Sequence, residues 1–279
     1  MGHGRKIIVS PSSTLRAITL APARLLYAAW ALAVFLGMGM LALLMLVLLP
    51  RLAWRRAAAR ALARTFLYLA GMPLTVKFAE RLPPAQCVVV CNHASYLDGI
   101  VLTAALPPRF GFVIKREMAS VPVVGPLLGR LGSEFVERFN RSRGASDARR
   151  LMRQAIDGHS LVFFPEGTFT RTPGLLKFHT GAFVSAVRAG CPVVPAIVRG
   201  TRRGLSPSGA LPLPGALQLE ILPALAPRTP PAPDEVAELC ASARAAILAG
   251  LGEPDLTCCD DTGRPPDTAP ARSARASRP

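Results

Sequence analysis

Val88-Val89-Val90-Cys91-Asn92-His93-Ala94-Ser95-Tyr96-Leu97-Asp98 is the stretch that decides how this chain is read. Four apolar residues ahead of a polar break fit a short buried strand. The Asn-His step then delivers an imidazole to the end of a sheet, a common place for a site in α/β proteins. His93 and Asp98 are five residues apart, so on one straight helix they would point about 140° away from each other. They can meet when His93 sits in the turn and Asp98 in the first turn of the next helix. The carboxylate would then accept from one ring nitrogen, leaving the other to take a proton from a hydroxyl. Taken alone, the spacing equally fits a turn histidine followed by a helix-terminal acid.

Outward from this stretch the body alternates between two patterns. Apolar runs at 110–114, 161–164, 193–198 and 217–222 are bounded by breakers and predict buried strands. Ala148, Leu151, Met152, Ala155 and Ile156 share one helical face, with Gly158 as the stop. Asp234 can cap a second helix whose Val236, Leu239, Cys240, Ala243 and Ile247 share a face, ending at Gly250. The alternation predicts an α/β fold with a mixed, mostly buried sheet flanked by helices.

A second polar motif closes one of these runs: Phe163-Phe164-Pro165-Glu166-Gly167-Thr168. Pro165 stops the strand, Gly167 permits a tight backbone, and Glu166 is left where the chain turns. In isolation this also fits a plain turn with a solvated glutamate.

Together the two motifs resemble the glycerolipid acyltransferase family, which includes lysophosphatidate acyltransferases. That family shows four ordered blocks. They stand here as Asn92 to Asp98, then Gly132-Ser133-Glu134-Phe135-Val136-Glu137-Arg138, then Phe164 to Thr168, and Val193-Val194-Pro195-Ala196-Ile197. Lys115 matches a lysine often seen between the first two. The resemblance covers roughly residues 85 to 200. It implies that His93, held by Asp98, deprotonates a lysolipid hydroxyl. That oxygen would attack the thioester of acyl-CoA or acyl carrier protein without an acyl-enzyme, in keeping with the absence of a G-x-S-x-G elbow. By the same resemblance Glu166, Gly167 and Thr168 shape the acceptor pocket, and Arg138 and Lys115 meet a phosphate. An oxyanion-stabilising group is also expected, with backbone amides after His93 as candidates. No metal or organic cofactor is implied. One departure stands out: many lysophosphatidate enzymes carry Arg directly after the Glu-Gly-Thr step, where this chain has Phe169. Either Arg171 reaches the same phosphate, or the acceptor headgroup differs, as in a lyso-ornithine lipid.

Bulk properties supply the setting. The 279 residues carry a formal charge of +16, which suits nucleic acid or anionic lipid equally. An uncharged apolar run at 25–49 favours lipid, and aromatics for base stacking are few. A cleaved signal would have a shorter apolar core, and no small-x-small site precedes Pro50 and Arg51. A retained anchor is therefore expected, either a spanning helix or a hairpin bent at Gly37-Met38-Gly39. Arg51, Arg55, Arg56, Arg60 and Arg64 would then lie against acidic headgroups, and 54–69 reads as a helix on or near the membrane surface. The domain reading is a basic segment at 1–24, the anchor and interfacial helix at 25–71, the acyltransferase domain at 72–251 and a disordered tail at 252–279. The expected location is the inner (cytoplasmic) membrane, with the site facing the cytosol where acyl thioesters are made. Cys87, Cys91 and Cys191 read as core residues of a reducing compartment. Cys87, Cys91 and His93 lack the second ligand pair that zinc would need. Two readings of other classes remain: a non-catalytic basic binding protein at the membrane, and a thioester hydrolase.

Overall fold

The structure, a computed structural model, describes residues 11–137, 150, 153–207, 209 and 211–257, with side chains from residue 22 onward. Seven strands form one sheet: β1 (Leu74–Lys77), β2 (Val88–Cys91), β3 (Phe110–Lys115), β4 (Glu134–Val136), β5 (Ser160–Phe163), β6 (Val193–Arg199) and β7 (Leu217–Ile221). Their order is β1-β7-β6-β2-β5-β3-β4. β2, β3, β4, β5 and β6 run parallel. β7 is antiparallel to β6, and β1 follows β7. The sheet is thus mixed, in agreement with the expected fold class.

Side chains alternate along each strand, so each central strand feeds two cores. Val89, Cys91, Val162, Val194, Ala196 and Val198 face one layer, with α2 (Leu52–Leu69) and α3 (Leu97–Ala105). Val88, Val90, Leu161, Phe163, Val193 and Ile197 face the other, with α5 (Gly181–Ala189) and α6 (Glu235–Leu251). A short helix α4 (Val124–Arg130) connects β3 to β4. Being covered on both faces is why the parallel strands read as continuous apolar runs.

Three helix expectations change in detail. Ala155 is buried but Ile156 is exposed, while Ala148, Leu151 and Met152 lie outside the described residues. Asp234 occupies the cap position of α6 without a side-chain cap bond. That helix runs on past Gly250 to a left-handed Gly252, and a Cβ at 250 would come within 2.5 Å of Ile197. Gly250 is a packing glycine, not a stop.

The N-terminal helix α1 (Pro11–Leu48) is continuous through Gly37–Gly39, so of the two anchor readings the hairpin bent at that point is not the course taken. Nothing lies within 4 Å of a Cβ placed at either glycine, and no inserted group breaks the ladder. The chain reverses instead just before Leu52, and α2 returns along α1. Tyr27 Oη donates to Ala70 O at 2.8 Å, Trp30 Nε1 to Leu69 O at 2.9 Å, and Phe35 meets Phe66 edge-on. Among the described residues one helix, over Pro22–Leu48, is long and apolar enough to cross a membrane by length and composition.

The arginines of α2 correct another expectation. Arg56 donates to the carbonyls of Leu131, Arg109 and Gly132 at 2.9, 3.0 and 3.2 Å. Arg60 and Arg64 reach Ala104 and Ala105 at the end of α3. Orphan carbonyls at a helix C-terminus are natural partners for guanidinium. These three side chains therefore dock the hairpin on the sheet domain. Arg51 lies over Trp54, and Arg55 donates to Leu49 O.

Candidate active site

β2, β5 and β6 point their C-terminal ends the same way, and the two polar motifs emerge there side by side. Asn92 fixes the first turn. Its amide accepts from Val198 N at 2.8 Å and donates to Val198 O at 3.1 Å, stitching the end of β2 to β6. His93 lies in the turn and Asp98 in the first turn of α3, and His93 Nδ1 meets Asp98 Oδ2 at 2.7 Å. That same oxygen accepts from Ala94 N at 2.7 Å and Ser95 N at 2.8 Å. That oxygen already accepts from two amides, so it serves as the acceptor toward His93 as well; the Nδ1 proton then points to Asp98 and Nε2 carries the free lone pair. Asp98 is fully buried and His93 keeps 18% of its side-chain exposure.

Glu166 braces this pair from the second motif. Its Oε1 accepts from His93 N at 2.7 Å and its Oε2 from Leu176 N at 2.9 Å. It is buried, not solvated in a turn. Burial raises its pKa to about 7, against the pull of the two amides. Gly167 takes φ of +77°, which lets the chain turn directly after Glu166. Thr168 is half-buried, and its hydroxyl makes no hydrogen bond among the described residues.

Aromatic rings box the imidazole. Phe164 stacks on it with centroids 4.1 Å apart, and Phe169 meets it edge-on at 4.5 Å. Tyr96 in turn meets Phe169 at 4.8 Å. Phe169 therefore belongs to the histidine's surroundings, while Arg171 is exposed and unpaired among the described residues. Lys115, at the end of β3, pairs with Glu117 at 3.1 Å. Arg138 lies outside the described residues.

Two nearby nucleophiles are occupied. Ser95 Oγ donates to Leu205 O at 2.7 Å and accepts from Leu97 N. The Cys91 thiol is buried, and burial pushes its pKa well up. The amides of His93, Ala94 and Ser95 are all bonded to carboxylates. The expectation that they form an oxyanion site is therefore corrected: their donors already serve Glu166 and Asp98.

Sequence reasoning missed Arg202, which follows β6. It donates to Thr170 O at 2.5 Å, sits 3.5 Å from Glu253, and acts electrostatically on Glu166. It lies outside every block, so only tertiary contact reveals it. The tail is corrected as well: Glu253–Thr257 packs against the loop after β5, with Leu256 buried.

A sheet-end histidine bonded to a buried aspartate, with a glutamate on its backbone amide, is an arrangement suited to general acid–base chemistry. The sequence model of the acyltransferase family matches residues 73–199. The chain is 31% identical over 137 residues to the 1-acyl-sn-glycerol-3-phosphate acyltransferase of Haemophilus influenzae, covering 47% of this chain and 57% of that one. It is 34% identical over 140 residues to the lyso-ornithine lipid O-acyltransferase of Pseudomonas aeruginosa, covering 49% and 52%. The chain thus spans little more than half the length of these relatives. The crystal structure of the 1-acyl-sn-glycerophosphate (LPA) acyltransferase from Thermotoga maritima shares the fold. Its TM-score is 0.69 at 21% identity, over 83% of this chain and 96% of that one.

Proposed function

We propose that this protein transfers a fatty acyl group from acyl-CoA or acyl carrier protein to the free hydroxyl of 1-acyl-glycerol-3-phosphate, making phosphatidate. The observation that carries this reading is the 2.7 Å bond from His93 Nδ1 to a buried Asp98, which leaves Nε2 as a base. Nε2 takes the acceptor's hydroxyl proton while the oxygen attacks the thioester carbonyl. The tetrahedral intermediate collapses, the C–S bond breaks, and the departing sulfur takes the proton back from His93. Asp98 stabilises the transient imidazolium, and the stacked Phe164 and edge-on Phe169 keep the ring fixed. The commitments of Ser95 and Cys91 support direct transfer without an acyl-enzyme. Arg171, exposed beside the Glu-Gly-Thr turn, is a cation available to an acceptor phosphate, with Lys115 and Arg138 as further candidates.

The same proposal places the protein at the cytoplasmic membrane with its site toward the cytosol. Leu25, Trp30, Leu32, Leu36, Met40 and Leu44 of α1 are exposed, a surface that water disfavours. α1 is tied to the sheet domain's side at both ends, through Tyr27 to Ala70 and through Leu46 O, which accepts from Arg130 at 3.0 Å. Nineteen residues of helix separate those ties, about 28 Å. That distance supports a hairpin lying along the membrane, because a crossing helix would carry one tie to the opposite face. Anionic lipid would meet the basic surface that the docked arginines leave over.

A second reading changes only the acceptor. Phe169, packed against His93, puts an apolar ring where many lysophosphatidate enzymes have a cation, which favours a lysolipid with another headgroup such as lyso-ornithine lipid. The test is labelled acyl-CoA with the purified protein and a panel of lysolipids. Phosphatidate formation supports the first reading, and acylated ornithine lipid alone supports the second. Free fatty acid would instead mark a thioester hydrolase, and no turnover a binding protein.

A further inference from the structure

After α6 the chain turns at Gly252 and runs beside the loop that follows β5. Leu175 N donates to Pro254 O at 2.9 Å, and Leu256 N to Leu175 O at 3.0 Å. Glu253 accepts from Gly174 N at 2.7 Å. Leu256 fills the space over Gly174, where an added Cβ would come within 2.5 Å of it. Asp255 grips Arg244 of α6 through both oxygens, at 2.6 and 3.0 Å. The same guanidinium donates to Leu175 O at 2.8 Å and to Leu176 O at 3.0 Å.

One peptide group links this clasp to the site. The carbonyl of Leu175 and the N–H of Leu176 belong to the same rigid plane. Arg244 holds that plane by its oxygen, while its N–H donates to Glu166 Oε2 at 2.9 Å. A cation on the carbonyl polarises the peptide and strengthens its N–H as a donor. Glu166 passes the constraint on, since its other oxygen accepts from His93 N.

We propose that the strap Glu253–Leu256, with Arg244 as its clasp, is a positioning device for His93, acting through the Leu175–Leu176 peptide and Glu166. The inference rests on the acyl-transfer reading above. Glu166 in its ionised form accepts from both amides, so it is the form that holds His93. The groups facing it are His93, Asp98 and Cys91 from the β2–α3 side, the Leu176 amide from the loop, and Arg202 from beyond β6. Loosening the Leu176 donor therefore raises the pH at which Glu166 ionises.

The test is the full-length protein carrying Arg244→Lys, which keeps the charge and loses the fork. Expected is a kcat about tenfold lower with the lysolipid KM within about twofold. The acid limb of the kcat profile should move to higher pH. The His93 ring signals of nitrogen-15 histidine-labelled protein should shift without substrate, which reads the positioning even if the acceptor is wrongly assigned. Should Arg244→Lys not fold, Asp255→Asn, which loosens the grip on Arg244, provides the same readouts with a smaller fall in kcat, about threefold. The proposal is overturned if a folded variant keeps wild-type kcat and ring signals. It is equally overturned if activity falls only with the folded fraction while the acid limb stays in place. Inactivity of the wild type on every lysolipid, with shifted ring signals in the variant, would fault the functional reading and leave the strap standing.

Discussion

Replacing Asp98 with Asn keeps the side chain's volume and removes its charge. The amide oxygen can still accept from Ala94 N and Ser95 N, so the turn should persist. What disappears is the attraction between the carboxylate and the imidazolium that forms as the acceptor is deprotonated. The Nδ1–Oδ2 distance is 2.7 Å, which puts the two charge centres about 4 Å apart; at an effective dielectric constant of about 20 the attraction is about 4 kcal/mol. At 1.36 kcal/mol per decade, kcat should fall on the order of a thousandfold. The neutral ground state loses far less, so the lysolipid KM should change by less than about threefold. The assay is initial-rate acyl transfer from labelled acyl-CoA over a range of lysolipid concentrations, with thermal unfolding followed in parallel. A folded Asp98→Asn enzyme within about fivefold of wild-type kcat would refute the charge-based role argued from this geometry.

Glu166→Gln should lower kcat, because the amide nitrogen must face one of two N–H donors; circular dichroism will separate this from misfolding. The kcat of the wild type should rise with pH through about 7 as Glu166 ionises, and the variant should lose that component of the profile. Because burial raises the folded-state pKa of Glu166 above its ordinary value, its contribution to stability is full below that ordinary value and is lost as pH rises through about 7. Denaturant titrations should show the stability of wild type relative to Glu166→Gln falling over that window, by on the order of 3 kcal/mol. Arg56→Ala leaves the carbonyls of Leu131, Arg109 and Gly132 without their shared donor, and calorimetry should show a loss of about 3 kcal/mol. Arg171→Ala should raise the KM for lysophosphatidate with kcat unchanged, and an unaltered KM would remove Arg171 from the phosphate site.

The central strands were legible because burial on both faces leaves them little choice of residue. The run 88–91 matches β2, the runs for β3, β6 and β7 differ by one residue at one end, and that for β5 is shifted by one residue. β1 and β4 escaped because Leu74–Lys77 and Glu134–Val136 are short and half-exposed, so neither shows the apolar block of a central strand. At the site, five-residue spacing sufficed to bring His93 to Asp98, since a turn followed by a helix is a local event. The contact of Glu166 with His93 spans 73 residues and comes from the parallel pairing of β2 with β5, which carries no local signature. Arg202 and the strap were invisible for a similar reason. Glu253 and Asp255 sit in a polar, proline-containing stretch that composition assigns to a tail. Glu253 takes a backbone amide and Asp255 an arginine eleven residues away on α6, and neither pairing leaves a local signature in the sequence. The arginines of α2 taught the same lesson in reverse: their charge suggested lipid, but Arg55, Arg56, Arg60 and Arg64 all meet carbonyls of the protein itself.

Acyl transfer from labelled acyl-CoA to 1-acyl-glycerol-3-phosphate, compared between the wild-type protein and His93→Ala, bears most directly on the whole account. The wild type should form phosphatidate, and the variant should lose at least about a thousandfold in kcat while remaining folded. Phosphatidate formed at comparable rates by both proteins would contradict His93 as the base, and none formed by the wild type would contradict the assigned acceptor.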